Sequence, residues 1–250
     1  MSENQKKIWV TGASSGIGKA VAEKFAQEGW KVAVSARRKN ILDQMSLNEN
    51  IFSYPLDVTN FDNCKNTFKK ILDDFKKIDI CFFCSGTYDP KKEKEINIEQ
   101  NKFIMDVNYF GILNSVKSVE EYFKNKKGGQ ISIVSSIAGY RGLPNSSGYG
   151  PSKAALTNFA ESIYFDFKKY NVKISVVSPG FIKTPLTDKN EFEMPFLKSP
   201  EFAAKKIFNG LVKTNSFEIH FPIQLTMTLK FLRVLPYKIY LFLVDKLVKR

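Results

Sequence analysis

The chain has 250 residues, 43% of them hydrophobic, and a formal net charge of +13 from 38 Lys/Arg against 25 Asp/Glu. That length suits one α/β domain with a large core, and no repeat or low-complexity segment points elsewhere. The basic charge is no sign of nucleic acid: lysine supplies 33 of the 38 cations and arginine five, whereas base and phosphate recognition leans on arginine.

The opening run Met1-Ser-Glu-Asn-Gln-Lys-Lys7 is polar and lacks an apolar h-region, so no secretory signal is expected. Residues 7–11 read as a first strand. Thr11-Gly12-Ala13-Ser14-Ser15-Gly16-Ile17-Gly18 follows at once, and Ile17, Val21 and Phe25 then recur at helical spacing up to a C-cap at Gly29. Strand, glycine turn and helix N-terminus together form a cradle for a pyrophosphate. A second strand at 31–35 ends in Ala36, where a site for NAD would place an acid on the ribose 2′-hydroxyl. Arg37 and Arg38 follow instead. Arginine suits a 2′-phosphate, so the expected cofactor is NADP(H), with Arg37 foremost in reading the phosphate and Ser14 adding a hydroxyl.

Further strands are predicted at 51–55, 78–84, 130–135, 172–177 and 217–221, with the longest helical patterns at 97–124 and 149–170. The alternation predicts a single-domain, Rossmann-like, doubly wound parallel sheet of about seven strands. Gly16, Asp57, Gly86, Ser136 and Pro179 each follow a predicted strand, so they converge on one edge of the sheet, where ligands bind. Cys81-Phe-Phe-Cys84 lies within a strand-like run, where small buried side chains fit better than a redox motif. Cys64, Cys81 and Cys84 make no disulfide framework, which favours a reducing, cytoplasmic setting. No metal site is expected. Tyr149 and Lys153 stand four apart at the start of a helix and share a face. An ammonium near a phenol lowers the phenol's pKa, which suits it to general acid catalysis. That spacing alone also occurs in ordinary helices.

Taken together, Thr11–Gly18, Asp57-Val58, Asn108, Ser136, Tyr149-x-x-x-Lys153 and Pro179-Gly180 are similar in order and spacing to the classical short-chain dehydrogenase/reductase family, over roughly residues 6 to 222. The resemblance implies an oxidoreductase that interconverts a carbonyl and an alcohol. Tyr149 would be the proton donor, and Lys153 would tune it and hold the nicotinamide ribose. Ser136, rather than its neighbour Ser135, would stabilise the oxyanion. Asn108 would hold a helix distortion and a proton-relaying water. The cofactor contacts implied are Gly12, Ser14, Ser15, Gly16, Ile17, Gly18, Arg37, Arg38, the adenine pair Asp57 and Val58, then Ser85, Gly86, Tyr149, Lys153, Pro179, Gly180, Ile182 and Thr184. The chain departs from the family at Phe83-Cys84-Ser85-Gly86, where two asparagines that tie neighbouring strands are usual.

Residues 183–200 read as a substrate lid with an apolar side at Phe192, Met194, Phe196 and Leu197, which favours a small hydrophobic carbonyl or alcohol. Residues 1–222 thus form the catalytic domain. Residues 223–250 form a helical tail, divided by Pro236, with a wide apolar face and basic edges. It is too short to span a bilayer. It would lie on a membrane surface, or be buried against the domain or a twin subunit in a homo-oligomer, dimer or tetramer. The competing readings are a silent nucleotide-binding regulator and a membrane-surface scaffold acting through the tail.

Overall fold

The computed structural model describes residues 5–247. Its elements are β1 (Lys7–Thr11), α1 (Gly16–Gln27), β2 (Lys31–Ser35), α2 (Lys39–Met45), β3 (Ile51–Ser53), α3 (Phe61–Phe75), β4 (Ile80–Phe83), α4 (Ile98–Met105), α5 (Gly111–Lys126), β5 (Gly129–Val134), α6 (Tyr149–Lys168), β6 (Val172–Pro179), α7 (Pro200–Asn209), β7 (Glu218–Phe221), α8 (Ile223–Val234) and α9 (Tyr237–Leu247). All seven strands pair in parallel in the order β3-β2-β1-β4-β5-β6-β7. The chain winds outward from β1 to β3 and then restarts on the other side with β4. A crevice therefore opens beyond the carboxyl ends of β1 and β4, the switch point at which such sheets bind ligands.

The strand sequences alternate, and the alternation builds both faces of the core. Ile8, Val10, Val32, Val34, Ile80 and Phe82 point to a layer formed by α1, α2 and α7. Trp9, Ala33, Cys81, Phe83, Ile131 and Ile133 point to the opposite layer of α3, α5 and α6. A strand buried on both faces reads as a nearly continuous apolar run, as Ile-Cys-Phe-Phe does in β4.

Two elements differ from the sequence reading. The third strand stops at Ser53, because Pro55 has no N–H to continue the ladder, although Tyr54 still donates to the Val34 carbonyl at 2.9 Å. The pattern at 97–124 is not one helix. A π turn at Asp106–Phe110 separates α4 from α5, and Asn108 sits inside it, fully buried.

The C-terminal helices fold back on the domain. Leu225 of α8 packs with Ile137 and Tyr140, and Phe181 and Leu229 border that cluster. Leu232, Tyr240 and Val244 form a second small cluster. Arg141 clamps the junction between α8 and α9. Its Nη1 donates to the carbonyls of Leu232 (2.9 Å) and Leu235 (2.7 Å), and its guanidinium lies 3.9 Å from the Tyr240 ring centroid. These bonds satisfy carbonyls left open at the end of α8. Among the described residues, no helix is long and apolar enough to cross a membrane.

Candidate active site

The glycine turn is built by close approach. Gly12 has φ +69°, and a Cβ there would lie 2.8 Å from the backbone of Cys84 and Ser85. A Cβ on Gly18 would lie 2.4 Å from the Gly12 carbonyl oxygen. Side chains at either position would fill the space that lets β1, α1 and the end of β4 meet. Ser15 begins α1 with no side-chain cap, so the first N–H groups of the helix face the crevice. Thr184 closes the far side, with its methyl against Gly16. The usual asparagines after β4 are replaced by Cys84 and Ser85, and the tie between strands passes to Thr11, whose Oγ1 accepts the Cys84 N–H at 3.3 Å.

The structure separates the two arginines after β2. Arg38 donates from Nη2 to Ser14 Oγ and Ser15 Oγ, each at 2.8 Å, and from Nε to Ser14 Oγ at 3.1 Å. Its guanidinium thus stands at the glycine turn. Arg37 and Arg38 are both exposed, and Arg38 is the one held against the two serines. Asp57 holds the turn before α3, accepting the Thr59 N–H at 3.0 Å, while Val58 is buried against Gly111. A pyrophosphate-bearing dinucleotide fits this set: glycines where only backbone can pass, open helix N–H groups, two hydroxyls and a guanidinium.

Ser136, Tyr149, Lys153 and Asn108 meet beyond β4 and β5. Ser136 starts a short 3-10 turn, its Oγ accepting the Ala138 N–H at 3.2 Å, and its hydroxyl favours the ionised form of the Tyr149 phenol. Ser135 is turned away, donating to the Lys153 carbonyl at 2.7 Å, which leaves Ser136 as the serine facing the phenol. Lys153 is buried and donates from Nζ to the Val134 carbonyl at 3.0 Å. Asn108 accepts the Thr87 N–H at 2.7 Å and donates to Ser152 Oγ at 3.0 Å. It ties the loop after β4 to α6. Pro179 ends β6, and the buried Ile182 beyond Gly180 forms a bridge with Lys198.

Burial pushes the Tyr149 phenol up to about 12, with Ser136 opposing and Cys84 and Glu93 adding to the rise. Burial also brings the Lys153 amine down to about 8. The physical reason is orientation and desolvation: Nζ is bound to a β5 carbonyl and lies 5.7 Å from the Tyr149 ring centroid. The phenol therefore keeps its proton at neutral pH, which is the form a general acid requires.

Two neighbours escaped sequence reading. Glu93, only 2% exposed, accepts the N–H of Gly148 at 2.9 Å and of Tyr149 at 3.0 Å on Oε2. Tyr88 lies with its ring centroid 4.7 Å from that of Tyr149. The same segment meets residues 189–191: Glu191 pairs with Lys91 (3.3 Å) and Lys94 (3.1 Å), and Lys189 donates to the Tyr88 carbonyl. Exposed pairs of this kind are weak. Cys81 is fully buried in β4, and burial pushes its thiol well up. Cys84 follows with its thiol at about 11, again raised by burial.

A parallel seven-stranded sheet with a phosphate cradle and a Ser-Tyr-Lys set at its carboxyl edge defines a nucleotide-dependent oxidoreductase. The sequence matches the short chain dehydrogenase family over residues 6–194, and the chain belongs to that family. It is 31% identical to an uncharacterized oxidoreductase of Myxococcus xanthus over 232 residues, covering 91% of each chain. It superposes on ElxO with NADP bound at a TM-score of 0.76 and 26% identity, covering 86% of this chain and 97% of that one. A short-chain dehydrogenase from Streptomyces avermitilis shares the fold over 98% of both chains, with a TM-score of 0.82 and 20% identity.

Proposed function

We propose that the chain is an NADPH-dependent reductase that converts a hydrophobic carbonyl compound to its alcohol. The observation that carries this reading is the meeting of the Tyr149 phenol with the Ser136 hydroxyl and the buried Lys153 amine, at the edge where the glycine turn opens. The bound nicotinamide would supply a hydride to the carbonyl carbon. Ser136 would hold the carbonyl oxygen as negative charge develops, and the Tyr149 phenol would give that oxygen its proton. Lys153 would hold the ribose and favour the phenolate left behind. Asn108 and Glu93 would keep the helix that carries Tyr149 in place.

Arg38, with Ser14 and Ser15, supports NADP(H) over NAD(H), since a guanidinium matches a phosphate in charge and shape. The NADP seen in ElxO, a relative by structure, is in keeping with that choice. Phe181, Tyr88 and the exposed lid residues Phe192, Phe196 and Leu197 support an apolar substrate. A silent nucleotide-binding regulator is disfavoured, because it would have no use for a buried proton donor with its serine in place. The three free thiols, two of them fully buried, suit a reducing, cytoplasmic setting. For a homo-oligomer the fitting face is that of α5 and α6, with Phe110 and Phe165 exposed and, the buried Lys153 aside, four lysines and four acids that balance. The test is a panel of aliphatic, aromatic and acyl-chain ketones scored by NADPH absorbance loss. Turnover on apolar carbonyls supports the reading, and turnover confined to sugars, or none at all, counts against it.

A further inference from the structure

The catalytic reading leaves the outer side of the C-terminal helices unused. The inner sides are accounted for: Leu225, Leu232, Tyr240 and Val244 are buried in the domain or between the two helices. The outer side of α8 carries Ile223, Met227, Phe231 and Val234, at spacings of four, four and three residues, all exposed, so they form one continuous stripe. On α9, Leu241 and Phe242 are exposed next to each other. Phe231 is 64% exposed and Phe242 62% exposed. Isolated exposed apolar residues need no explanation, but a stripe spanning two consecutive helices does.

Charge identifies the occupant. Residues 223–250 hold six Lys/Arg and a single acid, Asp245. Arg233, Lys238 and Lys246 are exposed on the same two helices, and Lys230 is tied inward to Glu218. A second copy would bring the same excess of positive charge to the contact, whereas the α5 and α6 face balances its charges and suits a twin. An apolar stripe edged with cations matches the interface of an anionic membrane, where apolar side chains enter the acyl boundary and lysines meet the headgroups. The surface also lies by the substrate mouth. Leu229 of α8 and Phe181 border the same small cluster, Phe192 lies with its ring centroid 5.7 Å from that of Phe181, and Phe181 directly follows Pro179 and Gly180.

We infer that the outer face of α8 and α9 is a docking surface for an anionic lipid bilayer, holding the protein flat at the membrane with its lid beside the lipid. This inference rests on the surface alone and stands apart from the reductase reading.

The test is flotation of the full chain with vesicles of phosphatidylcholine alone and of phosphatidylcholine mixed with phosphatidylserine, at low and high salt. The expected result is partition onto the phosphatidylserine vesicles, weakened by salt as screening shortens the reach of the lysines. The double substitution Phe231→Glu and Phe242→Glu should lower that partition by about tenfold or more. It alters only exposed side chains, and circular dichroism confirms that the fold persists. Lys238→Glu with Lys246→Glu, which leaves every apolar contact in place, should do the same on anionic vesicles. Absence of flotation overturns the inference, as does flotation that ignores both double substitutions or is equal on neutral vesicles. So does a dimer, seen by light scattering, that the phenylalanine substitutions dissociate. Flotation requires no cofactor or substrate, so its failure leaves the reductase reading standing.

Discussion

Glu93 Oε2 accepts the backbone N–H of Tyr149 at 3.0 Å and that of Gly148 at 2.9 Å. A carboxyl group thus sits at the first turn of α6, where open N–H groups and the helix dipole favour it. It fixes the backbone from which the phenol projects.

Glu93→Ala should therefore lower kcat by about tenfold or more, the scale of losing hydrogen bonds to a charged acceptor, with NADPH affinity unchanged. Glu93→Gln keeps an acceptor oxygen and should recover most of the loss. Steady-state kcat at saturating NADPH for both variants checks this. An alanine variant equal to wild type would show that Glu93 does not position the phenol.

Residues whose role is local were legible in the sequence. Alternation placed all seven strands, and glycine spacing placed the phosphate turn, because both signals lie within a few residues of chain. Glu93 was not legible. It stands in Lys91-Lys-Glu-Lys-Glu95, which reads as a solvated charge run, and only the fold brings it to Tyr149, 56 residues away. Which arginine meets Ser14 and Ser15 was equally closed, because it depends on how the chain leaves β2. Nor could spacing show that the Lys153 amine turns to the Val134 carbonyl, since that carbonyl belongs to β5 and not to the helix of Lys153. The apolar face of the tail was visible in the sequence, but which side stays outside is decided by packing, of α8 against Ile137 and Tyr140 and of α9 against Leu232.

Gly18→Ala should destabilise the protein and abolish nucleotide binding together. Its Cβ would lie 2.4 Å from the Gly12 carbonyl, and overpacking of this kind costs about 1–3 kcal/mol. Urea unfolding and nucleotide fluorescence titration measure the two effects. An alanine variant of wild-type stability and affinity would contradict the close approach.

Arg38→Ala should weaken NADPH binding by about 10- to 100-fold, the range for a charged hydrogen bond, and leave NADH binding nearly unchanged. Arg37→Ala, which leaves the bonds of Arg38 to Ser14 and Ser15 in place, should have the smaller effect. Parallel titrations of both cofactors against both variants decide the matter. Equal losses for NADPH and NADH in the Arg38 variant would show that the guanidinium supports the turn without reading a 2′-phosphate.

The pH dependence of reduction follows from the lowered Lys153 pKa. The amine is charged below about 8 and neutral above it, whereas the Tyr149 phenol keeps its proton up to about 12. Reduction needs both the phenol proton and the ammonium, so kcat/KM should be level at neutral pH and fall as pH rises through about 8. A profile of kcat/KM against pH is the measurement. A plateau extending well past that value would show that the charge on Lys153 is not required.

The central claim is that the Tyr149 hydroxyl delivers the proton, and Tyr149→Phe tests it most directly. The ring still packs against Tyr88 and the backbone still meets Glu93, so the fold and the nucleotide cradle persist. On a carbonyl substrate the variant should lose about 10²- to 10⁴-fold in kcat, the range for general acid catalysis, with NADPH affinity within a few-fold of wild type. Retention of more than about a tenth of wild-type kcat would contradict the account, because a loss that small falls below what removal of a general acid produces.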